Sequence, residues 1–426
     1  MRDKVLSGID IGSSKITTLI TAMKEDRLPH VIGVSTVESK GIRKGQVVDI
    51  EEAIQAISPS LEAAERMAGS SISNAFITIG GSHIASQNSH GIVAVADPDK
   101  EITASDVSRV IDAAKAVSIP STRQIIHVLP RGFIVDGQDG IADPVGMTGV
   151  RLEVDLHLIT GSTTAIKNIE KCVQELGVAI QGIVFGGFAS AFTVLSDTEK
   201  ELGVVLIDIG GGTTDIAILV EGALAYSSVI PIGAKNITRD LASGLRISLE
   251  SAEKIKLSLS QQPATPALPV DEYKSKTKAE DEMDVSSLNL PEDLKKVSRK
   301  TLVEGIMKPR LNEIFTMVGM EIKKSGFGGM TPSGLVLTGG GAETIGIVEA
   351  ARRNLAMPVR IGIPSNVTGL VDEILSPGYA ASVGLIHYGA KHMPSNTPSV
   401  LGKIGAKMPG KGILGKIFET FKSFLP

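Results

Sequence analysis

A single cysteine, Cys172, in a chain of 426 residues leaves no partner for an intramolecular disulfide and too few thiolates for a Cys-rich zinc or iron–sulfur site. That scarcity fits a reducing compartment. Charge of one sign is also in short supply. Lys and Arg number 43 against 47 Asp and Glu, a formal net charge of −4, which gives no support to a broad nucleic-acid surface and leaves only a local basic patch. The N-terminus, MRDKVLSGIDIGSSK, lacks the apolar core and small-residue cleavage site of a signal peptide. One uncharged run, 176–196, has the length to span about 30 Å of hydrocarbon. Gly186 and Gly187 divide it between a β-branched run and a helical ASAFTVL pattern, so it reads as strand, turn and buried helix. What is abundant is core material and glycine: 42% hydrophobic residues and 46 glycines describe a folding chain of two to four domains.

Strands and helices alternate along it. Strand 5–11 runs into Gly12, further short strands follow at 31–34 and 47–48, and Asp49 caps a helix with Ile50, Ile54, Ile57, Leu61 and Ala64 on one face, interrupted but not ended by Pro59. The segment NAFITIGGSHI from Asn74, a strand with a glycine turn, comes next. Between about His83 and Gly161 the pattern turns to strands at 90–95, 124–135 and 151–160 with one helix at 105–116, an inserted subdomain. Thr103 followed by Asp106 is a plausible capping pair for that helix. Helix 163–176 and strand 180–185 then resume the earlier domain. A second strand and turn, VVLIDIGGGTTDIAILV from Val204, echoes IDIGSSKITTLI near the start, a pattern of internal duplication. The polar, proline-punctuated stretch 260–298 is a weak core former. Helical spacing returns over 301–323, where Pro309 should kink or divide it, and the fold ends near Gly389.

Three glycine turns carry the chemistry. In GIDIGSSK, Asp10 ends a strand, Gly12 admits a close ligand, amides near Ser13 and Ser14 can cradle phosphate and Lys15 adds positive charge; a tight hairpin without a ligand accounts for the same residues. The run from Asp208 through Gly210, Gly211, Gly212 and Thr213 to Asp215 exposes several amides at a cost in backbone entropy, with the Thr213 hydroxyl either orienting phosphate or capping the turn. Gly339, Gly340 and Gly341 in TGGGA form a third turn at a strand-to-helix junction. Three such turns after apolar strands point to a nucleotide, ATP or ADP, and neither a P-loop nor a GxGxxG pattern is among them. Asp10 and Asp208 are the candidate metal residues, holding Mg²⁺ largely through waters. His83, His90, His127 and His157 are too dispersed for a metal or acid–base centre.

These motifs resemble the actin, Hsp70 and sugar-kinase ATPase superfamily, with DIGSSK as first phosphate loop, DIGGGTTD as second and TGGGA as adenosine loop, and within it the bacterial FtsA division proteins over about residues 3–390. The resemblance implies an α/β, two-lobed actin-like ATPase fold with an inserted 1C subdomain and a C-terminal amphipathic helix. Its parts would be 1A at 1–83 and 162–199, 1C (an SHS2 domain) at 84–161, 2A at 200–241 and 312–390, 2B at 242–311, a linker at 391–411 and the terminal helix at 412–426. It places Glu253 and Lys256 of SAEKIK beside the nucleoside, although both also suit a solvated helix face. It further implies polymerisation, docking of the FtsZ C-terminal peptide on 2B with Arg299 as a contact, and recruitment of downstream division proteins at the septum. One departure bears on turnover. Hydrolytic relatives carry Glu in an EPTAAA-like turn where FGGFASA stands here, so no carboxylate is expected near Gly186 to align water, and at most a weak Mg-dependent ATPase follows.

At the C-terminus, Ile413, Leu414, Ile417, Phe418, Phe421, Phe424 and Leu425 fall within about a 140° arc of an ideal helix, too short to cross a bilayer. Lys403, Lys407, Lys411, Lys416 and Lys422 outnumber Glu419, so anionic lipid at the cytoplasmic face is the expected counter-surface, against docking on the protein's own core. The competing readings are an actin-like membrane adaptor for another assembly such as pili, and a small-molecule kinase.

Overall fold

The computed structural model describes residues 4–23, 28–96, 99, 101–261, 281–292, 294–370 and 372–392. Two sheets form the body. The first runs Ala179–Phe185, Asn74–Ile79, Lys4–Ile11, Lys15–Met23, His30–Glu38 and Thr368–Gly369; the second runs Val359–Ile361, Leu335–Thr338, Val204–Ile209, Thr214–Val220 and Ala223–Ile230. In each, three antiparallel strands in a row are followed by two that lie parallel on the far side of the first. Parallel neighbours require a crossover. In the first sheet the helix Ile50–Ala68 supplies it, capped by Asp49, whose Oδ1 accepts from the Glu52 N–H at 2.9 Å. The duplication suggested by the two turns is therefore a duplication of whole sheets.

Pro59 sits on the exposed side of that helix, where loss of one backbone bond is tolerated, and the helix continues through it. The buried face is rotated from the expected one: Ala53, Ala56, Ile57, Ser60, Leu61 and Ala64 are buried, while Ile50 and Ile54 are half-buried. Ser60 turns inward because its hydroxyl meets that of Thr18 at 2.8 Å. Run 176–196 divides as its glycines imply, into strand Ala179–Phe185 and helix Gly186–Val194. Among the described residues no helix is long and apolar enough to cross a membrane. The segment 301–323 divides at its proline: a π-helical stretch Thr301–Met307 gives way to an α-helix Lys308–Ser325 with Pro309 in its first turn.

Between the halves of the first lobe stands a four-stranded sheet, Ala85–Ala94, Arg151–Ser162, Arg123–Val135 and Gln138–Ile141, with helix Ala104–Lys115 packed on it around its own apolar cluster. The Thr103–Asp106 capping box is present. His127 and His157 are structural, as their isolation implied. His127 accepts from the Phe185 N–H at 3.0 Å, and His157 lies 2.7 Å from Asn88 Oδ1 and 3.0 Å from Ser227 Oγ; burial pushes both down to about 3, so they are neutral. Of the polar stretch 260–298, residues 262–280 lie outside the described residues, and the rest carries a small hairpin, Glu282–Asp284 with Lys296–Ser298. The last helix, Ala380–His392, extends past the expected end at Gly389; the remaining linker and the terminal segment 412–426 lie outside the described residues.

The lobes are joined by two helices that cross. Gly186–Val194 leaves the first sheet and packs on the second, Ala380–His392 leaves the second lobe and packs on the first sheet, and the two pack on each other. The crossing admits no side chain at Gly384, where a Cβ would stand 1.9 Å from the Ala189 carbonyl oxygen. Gly384→Ala is expected to destabilise the fold by about 1–3 kcal/mol, read as a lower denaturant midpoint, and an unchanged midpoint would refute this packing.

Candidate functional site

The carboxyl ends of the central strands of both sheets face one cavity of about 620 Å³, the place where open α/β sheets bind ligands. The two phosphate-type turns have the same build. The Gly12 N–H donates to the Lys15 carbonyl at 3.1 Å and the Gly210 N–H to the Thr213 carbonyl at 2.9 Å, while the strand registers set Asp10 opposite Thr17 and Asp208 opposite Asp215. The turns meet across the cleft: a Cβ at 211 would lie 2.6 Å from Ser14 Cβ, and one at 212 would lie 2.9 Å from Ser13 Oγ. Glycine there allows the backbones to approach.

Asp10, Gly12, Ser13, Ser14, Lys15, Asp208, Gly210, Gly211, Thr213, Glu253, Lys256, Gly339, Gly340 and Gly341 all line this cavity. Gly212 does not line it, because it is turned onto Ser13. Within TGGGA the three glycines differ in role. A Cβ at 339 would lie 2.2 Å from Asp208 Oδ1 and one at 341 would lie 2.3 Å from Ile209 Cγ2, whereas 340 has open space. That turn is a 3-10 segment, Gly340–Glu343, and the α-helix begins only at Ile347. Glu253 and Lys256 form an ion pair at 2.7 Å; the ammonium also donates to Thr238 Oγ1 at 3.0 Å, and Lys256 is buried, so the solvated-face reading fails for it. Arg299 is half-buried where the π-helical stretch begins and does not line the cavity.

Asp215, Lys235 and Tyr379 also line the cavity and were not expected. Lys15 Nζ stands 3.4 Å from the centroid of the Tyr379 ring, and burial lowers its pKa against the pull of Asp10, Glu343 and Asp208. Lys235 Nζ crosses from the second lobe to donate to the Ser13 carbonyl at 3.0 Å. Asp215 corrects the expectation drawn from FGGFASA. Its Oδ2 lies 3.0 Å from the position a Cβ at 186 would take, so a carboxyl does occupy that spot, supplied by the facing hairpin. The signal was available in the strand register, since a hairpin closed as in DIGGGTTD puts its two aspartates side by side.

The electrostatics are those of crowded acids. Burial, with a contribution from Asp10, raises Asp208 to about 6, although the Ser190 hydroxyl donates to its Oδ2 at 2.5 Å. Burial, then Asp208 and Asp10, push Asp215 well above the carboxylate range, and its Oδ1 is buried without a hydrogen-bond partner. Both shifts are those of acids crowded together out of water. Among the described residues no three His, Cys, Asp or Glu close into a metal site by themselves. The set fits an ion completed by water and phosphate oxygens, which Asp10 and Asp208 would hold through water and which would supply charge compensation.

Comparison with known proteins decides the family. Residues 81–160 match the model of the SHS2 domain inserted in FtsA, and residues 205–384 match that of cell division protein FtsA. Cell division protein FtsA of Pseudomonas aeruginosa is 42% identical over 91% of this chain and 89% of its own; those of Bacillus subtilis (38%; 95% and 87%) and Escherichia coli strain K12 (35%; 91% and 90%) are similarly extensive. The chain belongs to the FtsA family. Solved structures share the fold at low identity. The PilM–PilN type IV pilus biogenesis complex gives TM-score 0.63 at 14% identity, covering 90% of this chain and 98% of that one. The ethanolamine utilization protein EutJ of Carboxydothermus hydrogenoformans gives 0.52 at 16%, covering 91% and 90%. The chain thus has the two-lobed actin-like fold with the SHS2 insertion.

The acid cluster sets a pH dependence. A carboxyl with a folded pKa above its unfolded one binds its proton more tightly when folded, so stability falls as pH rises from about 4 through about 6 for Asp208, by roughly 3 kcal/mol. Nucleotide-free Asp208→Asn and Asp215→Asn proteins are expected to melt later than wild type at pH 8, with the gain shrinking toward pH 4, while Mg-nucleotide affinity falls. Thermal melts across pH check this, and a gain that grows on acidification would show that the sign is wrong.

Proposed function

We propose that this chain is an ATP-binding, polymerising actin-like adaptor that tethers the FtsZ ring to the cytoplasmic face of the membrane at the division septum and recruits downstream division proteins. The observation that carries the reading is the near-full-length likeness to cell division protein FtsA. The cavity with its paired Asp-Gly turns supports ATP or ADP with Mg²⁺ as the cofactor, and FGGFASA in place of a glutamate-bearing turn supports an ATPase that is at most weak. In this reading residues 412–426 lie in the interface of anionic lipid through Ile413, Leu414, Ile417, Phe418, Phe421, Phe424 and Leu425. Several copies linked in a filament turn one weak foot into lasting residence, which gives polymerisation a physical purpose. The FtsZ C-terminal peptide docks around 242–311 with Arg299 as a contact, and the inserted domain carries self-association and later partners.

A pilus-assembly adaptor is the second reading, favoured by the likeness to the PilM–PilN complex, but at 14% identity that likeness speaks of fold. A small-molecule kinase has no acceptor-site constellation to support it among the described residues. Co-sedimentation with acidic liposomes, with and without ATP and the FtsZ tail peptide, separates the three. The expected result is ATP-dependent assembly that retains the peptide on the vesicles with slow phosphate release, and deletion of 412–426 should abolish vesicle binding while leaving ATP binding intact. Assembly without peptide retention would favour another adaptor, rapid turnover or metabolite phosphorylation would favour a kinase, and persistent vesicle binding by the deletion would remove the membrane assignment.

A further inference from the structure

The two crossing helices do more than join the lobes. Each begins with a residue or two on the cleft wall, and each buries one serine beside the crossing: Ser190, next to Ala189, and Ser382, two positions before Gly384. Ser190 Oγ donates to Asp208 Oδ2 at 2.5 Å, and Ser382 Oγ donates to Asp10 Oδ2 at 2.8 Å. Gly186–Val194 follows the last parallel strand of the first lobe yet holds the aspartate of the second. Ala380–His392 follows strand Thr368–Gly369 of the first sheet and the turn Pro377–Tyr379, which packs on Gly340–Glu343 of the second lobe, and holds the aspartate of the first. Each aspartate that ends a phosphate turn is thus held from one of the two helices that cross between the lobes.

We infer that Ser190 and Ser382 are a matched pair of positioning residues that aim Asp208 and Asp10 into the cleft and tie their orientation to the crossing of the two helices. The inference rests on the reading of the cleft as a Mg-nucleotide site. A carboxylate in a wide cavity has two rotatable bonds, and a hydroxyl fixed on a packed helix removes that freedom without adding charge. Thr78 donates a second bond to Asp10, to Oδ1 at 2.7 Å, but the corresponding strand of the second lobe offers Asp208 none: the Thr338 hydroxyl points instead to the Gly362 and Pro377 carbonyls, and Gly339 abuts Oδ1. Asp208 therefore depends on its serine alone among these hydroxyls, and Ser190 is the more consequential of the pair. The bland alternative is that both serines merely satisfy their own buried hydroxyls and fill space.

The two accounts differ in how nucleotide binding responds to magnesium. Full-length wild type, S190A and S382A would be titrated with Mg²⁺ in the presence of a fluorescent ATP analogue, with matching titrations in EDTA and thermal melts of each protein. The expected result is a half-saturating Mg²⁺ concentration raised roughly five- to tenfold in S190A and less in S382A, with EDTA-state binding changed by no more than about twofold. Unchanged Mg²⁺ dependence, or equal loss with and without Mg²⁺, would overturn the inference. Should S190A fail to melt cooperatively, S190C keeps the volume with a weaker donor, and wild-type Mg²⁺ dependence in that variant would also overturn it. Wild type that binds no nucleotide would instead defeat the cleft reading, a distinct outcome.

Discussion

Asp10, Asp208 and Asp215 are brought together at the junction of two lobes, and the surrounding structure is organised about that repulsion. Taking three carboxyls out of water beside one another is unfavourable, and the upward shifts of Asp208 and Asp215 register it. Hydroxyls from Thr78, Ser190 and Ser382 hold two of them, and the charge of Lys15 acts on Asp10 and Asp208. A polyphosphate with its cation brings what this cluster lacks, a positive centre that accepts water-mediated acids. Unfavourable burial and ligand preference are two aspects of one arrangement, as is general for perturbed acids in clefts.

The two lobes share one topology, and the places where they differ locate the chemistry. Position for position in the paired hairpins, Thr17 of the first lobe stands where Asp215 stands in the second. On the neighbouring parallel strand, Thr78 bonds Asp10 while Thr338 turns away from Asp208. The first lobe therefore presents an acid well supplied with hydrogen bonds, and the second presents two acids with fewer.

Features set by residues a few positions apart were legible in the sequence. Asp49 and the Thr103–Asp106 pair cap their helices, the glycine turns close where their strands end, and Pro309 divides its helix, because caps, turns and proline act within one turn of chain. What escaped notice depends on packing between distant segments. Ser382 meets Asp10 across 372 positions and Lys235 meets Ser13 across 222, and neither residue type signals its partner. Lys256 shows the limit of reading by residue type: a lysine suggests solvent, but it shares the buried stripe of Ala252, Ile255 and Leu259 and meets Thr238 of the preceding helix. Asp215 is the exception, being local and readable, since pairing across its own hairpin is fixed by the turn.

The glycine at 186 and the acid at 215 constrain each other. A side chain at 186 would meet the Asp215 carboxyl at once, and a Cβ at 187 would stand 3.1 Å from Asp215 Cβ, so the space a water-aligning glutamate would need from this turn is already filled. The occupant is the Asp215 carboxyl, whose pKa is pushed upward by burial and by the neighbouring acids. In the proposed reading binding and turnover are thereby separated: the backbone amides with Asp10 and Asp208 would serve the nucleotide, while the turn at 186 supplies no glutamate to align water. For an adaptor whose attachment is proposed to come from many weakly held copies, that separation is favourable, because nucleotide kept intact prolongs the assembled state on which avidity depends.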